Sequence, residues 1–116
     1  MELMNREQVQ QLLQSFANEP VYIHLETTSG AYAAHLQEGF FNSGAFIRNV
    51  QLTFEHAHVT PDSPHRVGLK LPHGWVYAQG ITHYTVTERD ELLLAGLDGE
   101  GKLAVALQVS RTPFAQ

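Results

Sequence analysis

Apolar and polar positions change rhythm once along this chain, at Pro20. Before it, Val9, Leu12, Leu13 and Phe16 recur at i, i+3, i+4 and i+7, the spacing of one helical face. This predicts a helix from Met4 to Ala17, its body at about residues 5–17. Asn5 stands at the N-cap, with Gln8 three residues on as the capping-box partner. Met4 and Val9 occupy the two positions of a hydrophobic staple. Asn18 tolerates a left-handed cap, and Pro20 cannot continue the ladder.

After Pro20 the period is two. Val21, Ile23 and Leu25 alternate with Tyr22, His24 and Glu26, as on a strand with two unlike faces. Ser29-Gly30 reads as a hairpin turn, Ala31–Leu36 as the returning strand, Gln37–Gly39 as a turn and Phe40-Phe41 as a short strand. Gly44–Arg48 follows, with Asn49 as a turn residue. Gln51–Val59 reads as one strand, with Leu52, Phe54, His56 and His58 on a single face. Thr60–Pro64 is a loop, because two prolines remove ladder donors. Arg66–Tyr84 reads as two β-segments joined at Pro72-His73-Gly74 and interrupted again at Gly80. Leu92–Leu97 and Leu103–Ser110 form a hairpin across Asp98–Gly101. About eight short strands with short connections favour antiparallel neighbours. The fold expected is mainly β: a small, strongly bent antiparallel barrel or half-barrel with one N-terminal α-helix, a single domain over residues 1–116.

Composition narrows the function. The chain has 116 residues, no cysteine and a formal charge of −5. The lack of cysteine excludes a disulfide framework and thiol catalysis and suits a reducing, cytoplasmic setting. The seven Lys and Arg residues are scattered, so no basic stripe invites nucleic acid. No apolar run approaches a membrane span, and the opening MELMNREQ lacks the pattern of a signal peptide. Full protonation of the seven histidines moves the formal charge from −5 to +2, so charge-dependent association is expected to shift between about pH 7 and 5.5.

Four groups of residues carry candidate chemistry. His56-Ala57-His58 sets two imidazoles on one side of a strand, and His83 or Glu26 would complete a divalent-metal site. His56, His58 and Asp62 together imitate the first cupin motif with Asp in place of Glu, but Tyr77 stands where the second motif needs a histidine. Tyr22, His24 and Glu26 form a polar patch on the outside of the sheet, with His24–Glu26 as a conceivable acid/base pair. No nucleophile accompanies them, so no catalytic residue is assigned. His73, Trp75 and Tyr77 offer an aromatic platform for a partner or flat ligand. Arg48 and Arg66, in apolar strands, read as anion contacts or as ion-pair partners of Glu26 or Glu55.

VYIHLETTSGAYAAH at 21–35, FFNSGAFIRN at 40–49, RVGLKLPHGWVYAQGITHY at 66–84 and LLLAGLDGEGKLAVALQVS at 92–110 together resemble the YojF-like family of small Bacillus-type proteins. The resemblance covers nearly the whole chain. It implies a cytoplasmic, all-β protein of unknown function. It also implies a gene neighbourhood containing a LmbE-type deacetylase of bacillithiol metabolism. The residues and the resemblance lead to one expectation: a non-catalytic binding or accessory protein, homo-oligomeric, with the deacetylase as a possible partner. The alternative is a cupin-like metal-binding protein using His56 and His58. No cofactor is expected beyond that possible divalent metal.

Overall fold

The computed structural model describes residues 1–28 and 43–115. The strands and turns expected between Ser29 and Phe41 lie outside the described residues. A two-residue strand, β1 (Glu2–Leu3), precedes the helix α1 (Arg6–Gln14). The Asn5 carboxamide accepts from the Gln8 amide at 3.1 Å, as the N-cap requires. The second half of the capping box is different. The Gln8 side chain accepts from the Tyr84 hydroxyl at 2.9 Å instead of turning back to Asn5. Asn18 takes φ 64°, and its amide donates to the Phe54 carbonyl at 2.7 Å, which closes the helix against the sheet region.

Eight further strands follow: β2 (Val21–Thr28), β3 (Gly44–Leu52), β4 (His56–Val59), β5 (His65–Lys70), β6 (Trp75–Ile81), β7 (His83–Val86), β8 (Leu92–Leu97) and β9 (Leu103–Ser110). They build two antiparallel sheets. One runs β1-β7-β8-β9-β2-β3; the other runs β4-β5-β6. The fold is therefore the half-barrel form of the expectation, since the sheets do not close into a barrel.

One core fills the space between the sheets and α1. It takes Val9, Leu13 and Phe16 from the helix, Val21 and Ile23 from β2, Val67 and Leu69 from β5, and Leu92, Leu94, Leu107 and Val109 from the last hairpin. The alternation of β9 explains its share: Val105, Leu107 and Val109 face inwards and are buried. Thr82 joins β6 to β7, so the chain passes directly from one sheet to the other. At that crossing β6 lies against β8. A Cβ on Gly96 would stand 2.2 Å from the Gly80 carbonyl oxygen, so only glycine admits this approach.

Two sequence expectations change. Asn49 is not a turn. It adopts φ 55° inside β3, where the pairing skips from Ile23–Val50 to His24–Arg48. It is the extra residue of a bulge, and its carboxamide binds the Phe114 backbone in both directions, at 3.0 and 2.7 Å. Residues 51–59 are not one strand. The chain turns over Thr53–Glu55, which reverses the parity: Phe54 is buried, yet Ala57 and Val59, rather than the histidines, continue the core. Among the described residues no helix is long and apolar enough to cross a membrane.

Candidate functional site: the outer face of the three-stranded sheet

The reversed parity sends His56 and His58 to the solvent face of β4. The same alternation places Arg66, Gly68 and Lys70 on the outer side of β5, and Trp75, Tyr77 and Gln79 on that of β6. Register then lines them up in rows. His56 is opposite Lys70, which is opposite Trp75; His58 is opposite Gly68, which is opposite Tyr77; Arg66 is opposite Gln79. The Leu71–Gly74 turn fixes this register through a Leu71 amide to Gly74 carbonyl bond of 2.7 Å.

Trp75 and Tyr77 are the centre of the face. Their rings are stacked, 5.3 Å between centroids and 7° from parallel. Trp75 is 42% exposed and Tyr77 50%. Fully burying such a ring contributes roughly 1.5–3 kcal/mol, of which two half-exposed rings realise only part. A glycine makes room for them. A Cβ on Gly68 would meet the Tyr77 ring at 2.9 Å and the Trp75 ring at 3.1 Å.

Cations stand at both ends of the stack. The Arg66 guanidinium lies 5.5 Å from the Tyr77 centroid and the Lys70 ammonium 6.0 Å from that of Trp75. Register sets Lys70 in the row of Trp75 and Arg66 in the row of Gln79, next to that of Tyr77. Each cation–ring contact adds only about 0.5–1 kcal/mol at such an exposed site. Arg66 Nε also donates to the Gln79 side chain at 2.9 Å, and the Lys70 ammonium donates to the Leu71 carbonyl at 2.5 Å. Among the described residues, neither cation pairs with a carboxylate.

The other sequence candidates are distributed over the fold. His73 is exposed at the tip of the β5–β6 turn. His83 is on β7, in the other sheet, with its Nδ1 2.7 Å from the Thr82 hydroxyl. The structure does not bring it, or Glu26 on β2, to His56 and His58, and among the described residues no three His, Cys, Asp or Glu side chains gather in a metal-holding group. Asp62 lies in the loop after β4.

Tyr22, His24 and Glu26 share the outer face of the six-stranded sheet. His24 is buried rather than part of an open patch, because Arg48 and Gln108 flank it in register. Its Nε2 donates to Glu26 at 3.0 Å. Its Nδ1 is buried with no hydrogen-bond partner among the described residues. The Tyr22 hydroxyl accepts from Gln51 at 3.2 Å. Arg48 pairs with neither Glu26 nor Glu55. It donates to the Ala115 carbonyl and lies 5.4 Å from the Phe114 ring, so it fastens the C-terminal segment.

The sequence reading passed over Gly68 and Lys70. The signal was present: a turn at residues 71–74 sets Lys70 opposite Trp75, and alternation then adds Gly68 and Arg66 to the same side.

The chain matches, over residues 3–114, the model of a family described as "Protein of unknown function (DUF1806)". It is 49% identical over 114 residues to the uncharacterized protein YojF of Bacillus subtilis (strain 168), covering 98% of each chain. The crystal structure of B. subtilis YojF superposes with a TM-score of 0.82 at 43% identity, over 99% of this chain and 97% of that one.

Proposed function

The chain belongs to the DUF1806 family, and from that premise we propose that it is a non-catalytic binding or accessory protein whose β4–β5–β6 outer face receives a partner. The observation that carries this reading is the half-exposed Trp75–Tyr77 stack held between Lys70 and Arg66. Tryptophan, tyrosine and arginine dominate the energetics of protein interfaces. Here three such groups share a rigid strand face, supported by a buried core beneath.

The geometry disfavours a stacked flat ligand. Each ring stacks on its neighbour and has a cation over it, so a planar molecule that stacks here competes with those groups. A broad protein surface needs only the ring edges and the charged tips. The deacetylase implied by the family resemblance is one such partner, and cytoplasmic residence belongs to the same reading. A homo-oligomer would use another surface, such as Phe46, Ile47 and Val50 on β3, which are exposed.

Photo-crosslinking tests the reading. A photoreactive residue at Gln79 is expected to give a discrete adduct with another polypeptide, and one at Arg89, in the turn before β8, none. Trp75→Ala with Tyr77→Ala should suppress the adduct. Equal labelling from both positions, or none from Gln79, would sink the reading.

A further inference from the structure

Resting on the interaction-surface reading above, the geometry points to an extended segment of a different polypeptide, with acidic and apolar residues alternating, that adds as a strand to the outer edge of β6. Three observations converge on it.

The first is an edge. Among the described residues β6 hydrogen-bonds to one strand only, β5. A groove of about 420 Å³ runs along its other side. One wall consists of four consecutive residues, Tyr77 to Gly80; the other is formed by the end of β2 and by Ala104 and Val105 of β9. Consecutive residues line a groove when the strand's own backbone faces it. Such an edge takes up an extended chain through main-chain hydrogen bonds, with alternate side chains supplying specificity.

The second is apolar. Ala78, Gly80 and Val105 form the inward side of this groove, and Ala78 and Val105 are buried. Every second side chain of an added strand meets this side, where an apolar residue fits.

The third is charge. The intervening side chains of the added strand lie beside Trp75, Tyr77 and Gln79. Arg66 and Lys70 both reach towards β6 there: Arg66 bonds to Gln79, and the Lys70 ammonium stands by the Trp75 ring. On a chain of net charge −5, two cations without a carboxylate partner among the described residues complement acidic side chains. A second copy docked by a two-fold axis on this face sets like cations against each other, which opposes association. A single-stranded nucleic acid needs a basic track beside its stacking rings; here two cations flank rings already stacked on each other, and the chain is acidic.

Selection of random short linear peptides on the immobilised protein tests this occupant. Enriched sequences are expected to alternate acidic and apolar residues. Their binding should weaken roughly tenfold or more for Arg66→Glu with Lys70→Glu, and comparably for Ala104→Trp, which fills the groove from an exposed position. N-methylation of alternate peptide amides should abolish binding, a readout that a change in fold does not mimic. Folding of each variant is checked by circular dichroism. Peptides that need Trp75 and Tyr77 but ignore charge reversal and Ala104→Trp overturn this inference while leaving the face as an interaction surface. Peptides indifferent to Trp75→Ala and Tyr77→Ala overturn both. An empty selection, or preference for a single-stranded oligothymidine over every peptide, also overturns it.

Discussion

Gln10 of α1 holds two backbone groups of β4 at once: its Nε2 donates to the Ala57 carbonyl at 2.7 Å, and its Oε1 accepts from the Val59 amide at 2.8 Å. Its neighbours one turn away extend the pattern. Gln14 accepts from the Ala57 amide at 3.0 Å, and Arg6 Nε donates to the Val59 carbonyl at 2.9 Å. Three side chains at i, i+4 and i+8 thus stand where a further strand would pair. An unpaired edge invites foreign strands, and α1 removes that opportunity on the β4 side, whereas β6 pairs with β5 alone among the described residues.

Gln10→Ala is expected to lower unfolding stability by about 1–3 kcal/mol, because it leaves two part-buried backbone groups unmet. Gln11→Ala, one residue on but exposed, should stay within about 0.5 kcal/mol of the parent. Urea denaturation compares the two. Equal effects would show that the edge bonds carry no stability.

Gly96→Ala tests the crossing of the sheets. Its Cβ meets backbone, the Gly80 carbonyl oxygen at 2.2 Å, and the Val105 side chain at 2.6 Å. Neither can swing away, so a loss of about 3 kcal/mol or more is expected. Gly99→Ala, with nothing within 4 Å of the new Cβ, is the control. Thermal unfolding of the pair decides it.

Gly68→Ala acts differently, although its contacts are also short. The atoms it meets are exposed rings, which can move outwards. Stability should change by no more than about 1 kcal/mol, since alanine also removes the backbone-entropy cost of glycine in a strand. The stack, however, must open. Trp75 is the only tryptophan, so its fluorescence reports this directly. An unchanged emission spectrum would contradict the packing described.

Tyr84 predicts an alkaline limit. Burial lifts its hydroxyl above the ordinary value of 10.0, and the negative charge of Glu2 nearby raises it further. A raised value means that the folded state keeps its proton while the unfolded state loses it. The contribution is therefore complete below 10.0 and disappears as pH rises through the folded value. Stability should fall with pH above about 10 in the parent, and less steeply in Tyr84→Phe. Parallel pH profiles for the two proteins would rule this out.

Much of this architecture was legible in the residues alone. A 3.6 period before Pro20 and a period of two after it are local consequences of backbone geometry, so α1, β2 and the β8–β9 hairpin could be placed from spacing. The cap at Asn5 and the turn at Pro72–Gly74 follow from side-chain chemistry within a few positions. The parity of His56 and His58 did not, because Thr53–Glu55 turns the chain only when Phe54 finds the core. The environment of His24 was equally hidden, since it depends on Arg48 and Gln108 arriving from two other strands.

The sequence by itself determined the helical period before Pro20, the alternation of β2 and of the last hairpin, and the turn at Pro72–Gly74. Only the tertiary structure decided that Lys70, Trp75, Tyr77 and Arg66 share one sheet face, that Gly68 and Gly96 are points of close approach, and that α1 closes the β4 edge while β6, among the described residues, pairs with β5 alone. Alternation is written into each strand, but register, edge and exposure are relations between segments distant in the chain, and they exist only once a common core has brought those segments together.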